Sequence, residues 1–491
     1  MINGELSFPA QGTLPDAPAL MWLDRISLQR RELSYEQYDV LSCYAVQWLL
    51  EQGFQRGDRC AFIAYTDLAT VVLLLACLRS GIVAMPISPR FPSSTINVLV
   101  QTAGARLVHQ SSWCTDNDLP VLSTHAATIS HEQSQISIPS DQIATILCSS
   151  GSTGIPKMFV HTVGNHVWSA RGAAENIPLS ASDCWLASLP LYHVGGYAIV
   201  FRALVAGSAI ALPHYTSFDV QKLYELIERL PVTHCSFVAA QLYYALRYAP
   251  LVQRLRQMRA ILVGGSAIPK KLLEEALSYG LPVYTSYGCT EMASQITTAR
   301  APSIEHVRTS GNILPYREVW IADDGEIMVR GKTLAYGKIT ECGIVSITDS
   351  EGWYRTGDIG EFDNAQRLIV RGRRDNMFIS GGENIHPESI EEILMECEDI
   401  VHAVVVPVVH DVYGYRPYAF VQRANNIPLD DTFVQNVRHV LSERLPRFAL
   451  PDKILAIPQE MLDRGIKLSR GELAIAAQKK EWLSGNRRKY Y

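Results

Sequence analysis

The sequence predicts an α/β protein: a large N-terminal domain of parallel or mixed sheets covered by helices, followed by a small α+β domain. Helix-like and strand-like segments alternate from the start to about residue 140, which is typical of sheets covered by helices. Near Val370 the pattern changes, and a charged, glycine-bearing run precedes further strands and a helix. At 491 residues the chain is also too long for one ordinary domain.

Apolar spacing defines the elements of the large domain. SYEQYDVLSCYAVQWLLEQG has apolar residues at helical spacing and ends at a glycine, as helices often do. CAFIAYT predicts a strand, TVVLLLACLRSG a helix and IVAMPIS a second strand. AILVGG and LPVYTSYG predict strands that end in glycine-bearing turns, and ligands of α/β folds collect at such strand ends.

The small domain has its own pattern. The segment from Ile400 to Val409 and the segment RPYAFVQ predict strands, and a helix is predicted near Asp431 to Leu445. We place the boundary between Arg374 and Asp375, which divides the chain into residues 1–374 and 375–491.

The bulk composition excludes several classes of protein. Hydrophobic residues make up 47% and charged residues 19%, as in globular proteins. The net charge of -5 gives no basic excess for nucleic acid or an anionic membrane surface. The 10 cysteines form no CxxC pair, so zinc-ligand spacing is absent and a reducing compartment is indicated. The N-terminus lacks a secretory pattern and the run Val71 to Leu78 is too short to span a bilayer, so we expect a cytoplasmic protein without a membrane span.

The stretch ILCSSGSTGIPKMFVHT predicts a phosphate-binding loop between two strands. Glycines let the backbone approach a ligand, hydroxyls and N–H groups can surround phosphate oxygens, and a lysine adds positive charge. Ile155 and Pro156 separate the last glycine from the lysine, so this is not the P-loop of NTPases. A flexible surface loop is the alternative. The candidates are Ser149, Ser150, Gly151, Ser152, Thr153, Gly154 and Lys157.

Two further motifs suit a nucleotide. In SYGCTEMAS, Tyr287 can stack on a base, Gly288 permits a tight turn after the strand, Thr290 can bond a phosphate oxygen and Glu291 can hold Mg²⁺. In WYRTGDIGEF, Asp358 follows a glycine after a predicted strand and can accept hydrogen bonds from ribose hydroxyls. Taken alone, the first string also fits a capped helix start and the second a Gly-Asp turn.

Two motifs near the C-terminus complete the set. In GRRDNMFISGGENIHP, Arg373 could reach a ribose or phosphate, and Gly381 and Gly382 offer bare backbone to an elongated ligand. In DRGIKLSRGEL, Lys467 follows a glycine by two positions. By themselves, these would be a solvated charged turn and a surface lysine.

The five motifs in this order resemble those of the adenylate-forming superfamily, which contains acyl- and aryl-CoA synthetases, luciferases and the adenylation domains of peptide synthetases. The resemblance runs from about Leu33 to Leu473. Within the family the chain is most similar to the o-succinylbenzoate–CoA ligases of menaquinone synthesis, through LPLYHVGGYAIVFRALVAG, DNMFISGGENIHPE and GIKLSRGEL. The resemblance implies the substrates ATP, CoA and a small carboxylic acid, with Mg²⁺ as cofactor. It also implies a mobile C-terminal lid, and a homodimer is expected because dimers are common in this family.

The resemblance also implies a role for each motif residue. The loop from Ser149 to Lys157 would bind the ATP phosphates, Asp375 would be the hinge of the lid, and Gly381 and Gly382 would face CoA in the second step. The remaining roles are an adenine slot (Gly264, Gly265, Ser266, Ala267, Tyr287, Gly288), α-phosphate contacts (Thr290, Lys467), a magnesium ligand (Glu291), ribose contacts (Asp358, Arg373) and the mouth between the acyl pocket and the CoA tunnel (His193).

Recognition of the substrate acid depends on residues outside the five motifs. o-Succinylbenzoate has a second carboxylate, which needs a cation or several donors in a partly buried pocket. Arg202 is our candidate for that cation, and His193 and Gly195 on the same segment are further substrate-binding candidates; a helix arginine paired on the surface is the alternative for Arg202. The other functions left open are a CoA ligase for another aryl or fatty acid, an adenylation module that loads a carrier protein, and a ligand-binding relative without activity.

Overall fold

The computed structural model describes residues 3–109, 136–149, 156–215, 217–265, 268–462 and 468–478. Within these ranges four sheets lie before residue 374 and one sheet lies after it. The arrangement agrees with the predicted α/β architecture of one large and one small unit.

The largest sheet of the described ranges is parallel in its centre. Strands β12 (His234–Phe237) and β13 (Ala260–Val263) are buried throughout, and apart from His234 their residues are apolar or small, as expected for strands covered on both faces. Antiparallel strands close both edges. In spatial order, and numbered along the chain, its nine strands are β16 (Asn312–Ile313), β15 (Ser294–Thr298), β14 (Val283–Cys289), β13 (Ala260–Val263), β12 (His234–Phe237), β10 (Cys184–Leu186), β11 (Ala209–Ala211), β2 (Pro18–Leu23) and β3 (Arg30–Ser34).

A second large sheet joins parallel strands to an antiparallel half. β5 pairs parallel with β4 and β8, whereas β8 and β9 form an antiparallel hairpin. Across the described residues its seven strands are, in spatial order, β20 (Gly343–Val345), β19 (Gly337–Thr340), β9 (Lys157–Thr162), β8 (Ile143–Ser149), β5 (Val83–Ile87), β4 (Arg59–Ile63) and β6 (Arg106–Val108); β1 (Leu6–Phe8) and β7 (Ile136–Ile138) pair separately.

One buried cluster joins strands of both large sheets to helices that lie between them, and helix α2 (Leu68–Ser80) shows why. Its sequence LATVVLLLACLRS is apolar almost all round, and nearly all of it is buried. It begins where the Asp67 side chain accepts from Thr70 N at 2.9 Å and ends at Gly81, whose φ of 73° suits a glycine. The helices of the described ranges are α1 (Tyr35–Glu51), α2 (Leu68–Ser80), α3 (Ser93–Thr102), α4 (Val163–Ala174), α5 (Val194–Ala206), α6 (Val220–Arg229), α7 (Ala239–Leu246), α8 (Ala249–Leu255), α9 (Lys270–Ser278), α10 (Ile304–Val307), α11 (Pro387–Glu396), α12 (Asp431–Arg444), α13 (Gln459–Leu462) and α14 (Arg470–Gln478).

An antiparallel sheet leads to the C-terminal unit. Its strands are β17 (Arg317–Ile321), β18 (Glu326–Gly331), β21 (Tyr354–Phe362) and β22 (Leu368–Arg373). The next residues, Arg374–Asn376, form a 3₁₀ turn that spans the predicted boundary. Further 3₁₀ turns lie at Thr290–Met292, Ala424–Asn426 and Arg447–Ala449.

The C-terminal unit, called the lid below, has a sheet and a core of its own. Phe378, Ile390, Leu394, Val405 and Val421 belong to one buried cluster whose members all follow residue 375. Its strands are, in spatial order, β24 (Glu383–Ile385), β23 (Phe378–Ser380), β26 (Gly414–Arg423) and β25 (Ile400–His410). A fifth strand, β27 (Lys453–Ala456), pairs in parallel with β26.

In the described part of the chain, none of the helices combines the length and the apolar character needed to cross a membrane.

Candidate active site

The predicted phosphate loop closes the β8–β9 hairpin. Ser149 at the end of β8 pairs in register with the exposed Lys157 at the start of β9. The candidates Ser150, Gly151, Ser152, Thr153 and Gly154 lie outside the described residues. The hairpin therefore brings the two ends of the loop together at the same end of two central strands.

Strand β9 also contacts the second motif. His161 Nε2 lies 2.7 Å from the backbone oxygen of Thr290. Burial lowers the pKa of His161 to about 4, so the imidazole is neutral near pH 7 and Nε2–H donates to the carbonyl. This bond fixes the backbone of Thr290 relative to the strand that follows the phosphate loop. Nothing in the sequence motifs singled out His161.

Gly288 lies inside strand β14, and the expectation of a turn after the strand is wrong at this residue. The strand carries a bulge between Tyr287 and Gly288. A Cβ atom on Gly288 would lie 1.9 Å from the backbone oxygen of Ser294, so the close approach of β15 requires a glycine. The residue is needed for strand packing rather than for a turn.

The adenine-slot candidates meet at neighbouring strand ends. Gly264 and Gly265 follow β13, which runs parallel to β14 and its Tyr287. A Cβ atom on Gly264 would lie 2.6 Å from Ser286 Oγ, and Gly265 has a φ of +85° that favours glycine. Ser266 and Ala267 lie outside the described residues.

The ribose candidate Asp358 lies between Tyr287 and the second candidate, Arg373. Its hydroxyl donates to Asp358 Oδ2 at 2.6 Å, and Arg373 Nε lies 3.6 Å from Asp358 Oδ1. Asp358 lies within β21, directly opposite Arg373 on β22, rather than after the end of a strand as expected from its glycine. Burial, and then the charge of Asp358, raise the pKa of the Tyr287 phenol, which therefore stays a donor.

Arg373 remains charged in this cluster. Burial acts to lower the pKa of its guanidinium, but the carboxylates of Asp358 and Glu291 outweigh burial and the pKa lies above its ordinary value. The cluster thus combines a carboxylate that can accept from ribose hydroxyls with a cation that can face phosphate.

Glu291 fits a magnesium ion. Its Oε1 accepts a hydrogen bond from the neutral hydroxyl of Tyr354 at 3.0 Å, and Arg373 acts on its carboxylate through charge. Within the described ranges no group of three or more His, Cys, Asp or Glu side chains could hold a metal alone, so Mg²⁺ would depend on Glu291 and nucleotide phosphates. Tyr354 was not predicted, although its spacing from Thr356 and Asp358 along one strand was visible in WYRTGD.

The candidates for the acyl pocket lie on helix α5 and at its N-cap. Gly195, Ile199 and Arg202 are spaced i, i+4 and i+7 and share one face. His193 precedes the helix as its N-cap residue, is exposed, and contacts the ring of Tyr192. Of the three predicted substrate residues, Gly195 and Arg202 therefore share one face of the helix, whereas His193 lies before its first residue.

Arg202 is buried, with 5% of its surface exposed, and the alternative of a surface-paired arginine is wrong. Its Nη2 donates to Gln295 Oε1, and its guanidinium carbon lies 4.8 Å from the ring centre of Trp185. Nε and Nη1 have no hydrogen-bond partner among the described residues. Trp185 and Ile199 belong to an apolar cluster with Ile177, Leu179, Ala260, Leu262 and Tyr284.

The predicted hinge lies between two anchored residues. Arg374 Nη1 lies 2.9 Å from Glu326 Oε2 of the large unit, and its Nη2 contacts Asp324. Asn376 Nδ2 donates to Glu388 Oε1 of the lid at 2.5 Å. The exposed Asp375 is the one residue between them.

The lid brings its two glycines to an exposed corner. Gly381 and Gly382 are exposed, and the ring of Tyr413 covers Gly381, where a Cβ atom would lie 3.1 Å from Cδ1. Lys467 lies outside the described residues. Arg470, on the following helix, pairs with the lid residue Glu391.

The chain matches known protein families along most of its length. The family model described as AMP-binding enzyme matches residues 9–339, and the model of its C-terminal domain matches residues 389–464. A 2-succinylbenzoate–CoA ligase from Haemophilus influenzae is 34% identical over 444 residues, covering 89% of this chain and 90% of the relative.

Two solved structures of MenE, the o-succinylbenzoate CoA synthetase of Bacillus subtilis, match to different degrees. Its complex with the acyl-adenylate intermediate OSB-AMP gives a TM-score of 0.79, at 28% identity, covering 96% of this chain and 98% of that one. A double mutant bound with the product analogue OSB-NCoA gives 0.65, at the same identity and coverage.

Proposed function

Because the chain belongs to the AMP-binding enzyme family, we propose that it is an ATP-dependent acid–thiol ligase that converts 2-succinylbenzoate to its CoA thioester. The observation that carries the substrate is the buried Arg202, a cation beside an apolar cluster with two nitrogens unpaired in the described residues. An aromatic acid with a second carboxylate suits this surface.

The first step forms an acyl-adenylate. A carboxylate is a poor acylating agent because its leaving group would be oxide. Its attack on the α-phosphorus of ATP expels pyrophosphate and gives a mixed anhydride. Negative charge builds on the phosphate oxygens, and donors and cations fixed in advance stabilise it. Thr290, held by His161, and Lys467 would supply these contacts, and Mg²⁺ bound at Glu291 would neutralise phosphate charge.

The nucleoside would be oriented by the strands that meet at Tyr287. Its ring, with Gly264 and Gly265, would contact the base, and Asp358 would accept from the ribose hydroxyls. Tyr287 and Arg373 hold Asp358 from two sides, which limits its rotamers before ATP binds.

In the second step the thiol of CoA attacks the acyl carbon and AMP leaves. Rotation of the lid about Asp375 would remove Lys467 and bring Gly381 and Gly382 towards the pantetheine arm. The higher TM-score against the acyl-adenylate complex, 0.79 against 0.65, supports an adenylation-like lid position here. In this position Lys270 of the large unit pairs with Glu392 of the lid at 2.8 Å.

Placement in menaquinone synthesis, a cytoplasmic location and a homodimer belong to the same proposal. The first follows from the substrate, the second from the use of ATP and CoA, and the third from what is common in the family.

The test is acid-dependent release of pyrophosphate with ATP and Mg²⁺. We expect release with 2-succinylbenzoate, consumption of CoA, and little release with benzoate, anthranilate or a medium-chain fatty acid. Arg202→Met should lower kcat/KM for the diacid by about 100-fold, because a buried carboxylate loses its cation. Release with another acid alone would retain the chemistry and overturn the substrate. Acyl transfer to a carrier protein but not to CoA would favour an adenylation module.

A further inference from the structure

Two arginines are buried side by side without a carboxylate. Arg202 and Arg317 are each 5% exposed, and in the described part of the chain their hydrogen bonds go to neutral oxygens. Burial, and then the charge of Arg202, lower the pKa of Arg317 to about 9. Buried charges in proteins are normally paired, and the described residues supply no counter-ion to this pair.

Gln295 bonds both guanidinium groups at once. Its side-chain oxygen accepts from Arg202 and its backbone oxygen accepts from Arg317. Its amide nitrogen donates to Thr298 Oγ1 at 2.5 Å, which fixes the amide with its oxygen towards Arg202. The bridging group is therefore neutral and held at both ends.

The surrounding backbone is shaped for the second arginine. A Cβ atom on Gly172 of helix α4 would lie 2.3 Å from Arg317 Nη2 and 2.8 Å from the backbone oxygen of Pro315. Arg317 Nε donates to that same oxygen at 3.0 Å. A glycine is thus required at position 172 to make room for a guanidinium that has no carboxylate partner among the described residues.

The bridge also connects the acyl side to the nucleotide side. Gln295 on β15 pairs in register with Gly288 on β14, next to Tyr287. Arg202 reaches Gln295 from helix α5, which carries Gly195 and Ile199 on the same face. A carboxylate that contacts Arg202 would therefore be located relative to the strand that positions the nucleoside.

We propose that Gln295 is a positioning residue for substrate selection: it orients Arg202 without neutralising it, so that a second carboxylate of the substrate becomes the counter-ion of the buried arginine pair. This inference rests on the proposed function and adds the selecting residue to it.

A glutamine at position 295, unlike a glutamate, leaves the charge of Arg202 uncompensated. A glutamate at position 295 would be an internal counter-ion, and a substrate carboxylate would then bring a second negative charge to a satisfied cation. An amide has nearly the same shape and directs the guanidinium with a hydrogen bond while leaving its charge uncompensated. The energy of pairing that charge is then available only to a ligand that carries a carboxylate.

The experiment compares the wild type with Gln295→Glu and Gln295→Met on two matched acids. The acids are 2-succinylbenzoate and 4-oxo-4-phenylbutanoate, which has the same activated carboxylate but lacks the one on the ring. We expect Gln295→Glu to lower kcat/KM for the diacid by about 100-fold and to change the monoacid less than about threefold, because only the diacid needs the free cation. Gln295→Met should raise KM for the diacid by about tenfold with kcat nearly kept.

A binding measurement supplies a readout besides activity. 2-Succinylbenzoate should raise the melting temperature of the wild type, and this shift should vanish in Gln295→Glu, whose melting temperature without ligand should equal or exceed that of the wild type. Thr298→Val is the graded comparison: it removes the acceptor that orients the amide but keeps the amide oxygen beside Arg202, so it should lower the preference for the diacid less than Gln295→Met does.

The outcomes separate this inference from the proposed function. An equal loss on both acids in both Gln295 variants would mean a purely structural role and would overturn the inference, as would an unchanged preference. If the wild type prefers another acid with a second anionic group, the proposed substrate fails, and the same pair test with that acid decides the inference. A wild type that activates the monoacid as well as the diacid overturns the inference and leaves the ligase chemistry intact.

Discussion

The hydroxyl of Tyr287 and the carboxylate of Asp358 are joined by a 2.6 Å hydrogen bond between two different sheets. Tyr287 lies on the edge of the parallel region of the largest sheet, and Asp358 lies on the antiparallel sheet that leads to the hinge. One bond therefore fixes the proposed base contact relative to the proposed ribose contact.

Tyr287→Phe should weaken ATP binding. The ring is kept, but Asp358 loses the donor that fixes its rotamer, so we expect KM for ATP to rise about tenfold with kcat little changed. Steady-state kinetics of pyrophosphate release at saturating acid would measure this. Tyr336→Phe, at a tyrosine with 62% of its surface exposed, is the control and should behave as the wild type. An unchanged KM in Tyr287→Phe would remove the positioning role of this bond.

Glu291→Gln should raise the concentration of Mg²⁺ needed for half-maximal rate by at least about tenfold, because a hard cation prefers a carboxylate to an amide. Tyr354→Phe removes the hydroxyl that bonds Glu291 and should shift the Mg²⁺ dependence by a smaller factor in either direction. Magnesium titrations at fixed ATP measure both. Equal Mg²⁺ curves for Glu291→Gln and the wild type would contradict the assignment of Glu291 as a ligand.

Acid should destabilise the large unit through His161. Its pKa is about 4 in the folded chain and near 6.5 when unfolded, so the unfolded state binds the proton first as pH falls. The contribution of the neutral His161 to the free energy of unfolding is complete above its pKa in the unfolded state. It is lost as pH falls from 6.5 towards 4, and about 2 kcal/mol is lost by pH 5.

His161→Gln tests this linkage, because glutamine can still donate to the Thr290 oxygen but does not titrate. Urea unfolding at pH 7 and pH 5 should show a loss of stability that is smaller in the variant by about 2 kcal/mol. The same loss in both proteins would show that His161 does not take up the proton.

The ion pair between Lys270 and Glu392 should favour the lid position described above. Both side chains are about half exposed, so the pair contributes no more than about 1 kcal/mol. Glu392→Lys should slow acyl-adenylate formation up to about fivefold and leave CoA transfer unchanged or faster. The double reversal Lys270→Glu with Glu392→Lys should restore the wild-type ratio of the two half-reactions in single-turnover measurements. Failure of the double variant to recover would indicate that the pair does not bias the lid.

Apolar periodicity predicted the elements well because burial dominates them. The helix within SYEQYDVLSCYAVQWLLEQG is Tyr35–Glu51, and the strand within IVAMPIS is Val83–Ile87. Glycines were harder to interpret. The motif predicted a turn at Gly288, but the cause is the backbone of β15 at 1.9 Å from a would-be Cβ, a long-range contact that no local pattern contains.

The sequence predicted the site residues that belong to a motif and missed those whose role depends on tertiary packing. Asp358 and Arg373 were singled out separately, and the register of β21 and β22 places them opposite each other. Gln295 and Arg317 were not considered, because a single glutamine or arginine in a strand has no spacing signal. Their role depends on how β15 and β17 lie against helix α5, which is tertiary information.

The separate core of the lid has a thermodynamic consequence. Among the described residues, every member of the buried cluster that contains Phe378 and Leu394 belongs to the lid. Asp375 alone separates the two anchored residues of the linker. Heat should therefore be absorbed in two steps rather than one, and a single unfolding midpoint would not describe the molecule. ATP without acid or CoA should move the step of the large unit to higher temperature more than that of the lid, so scanning calorimetry would report ligand occupancy of each unit separately.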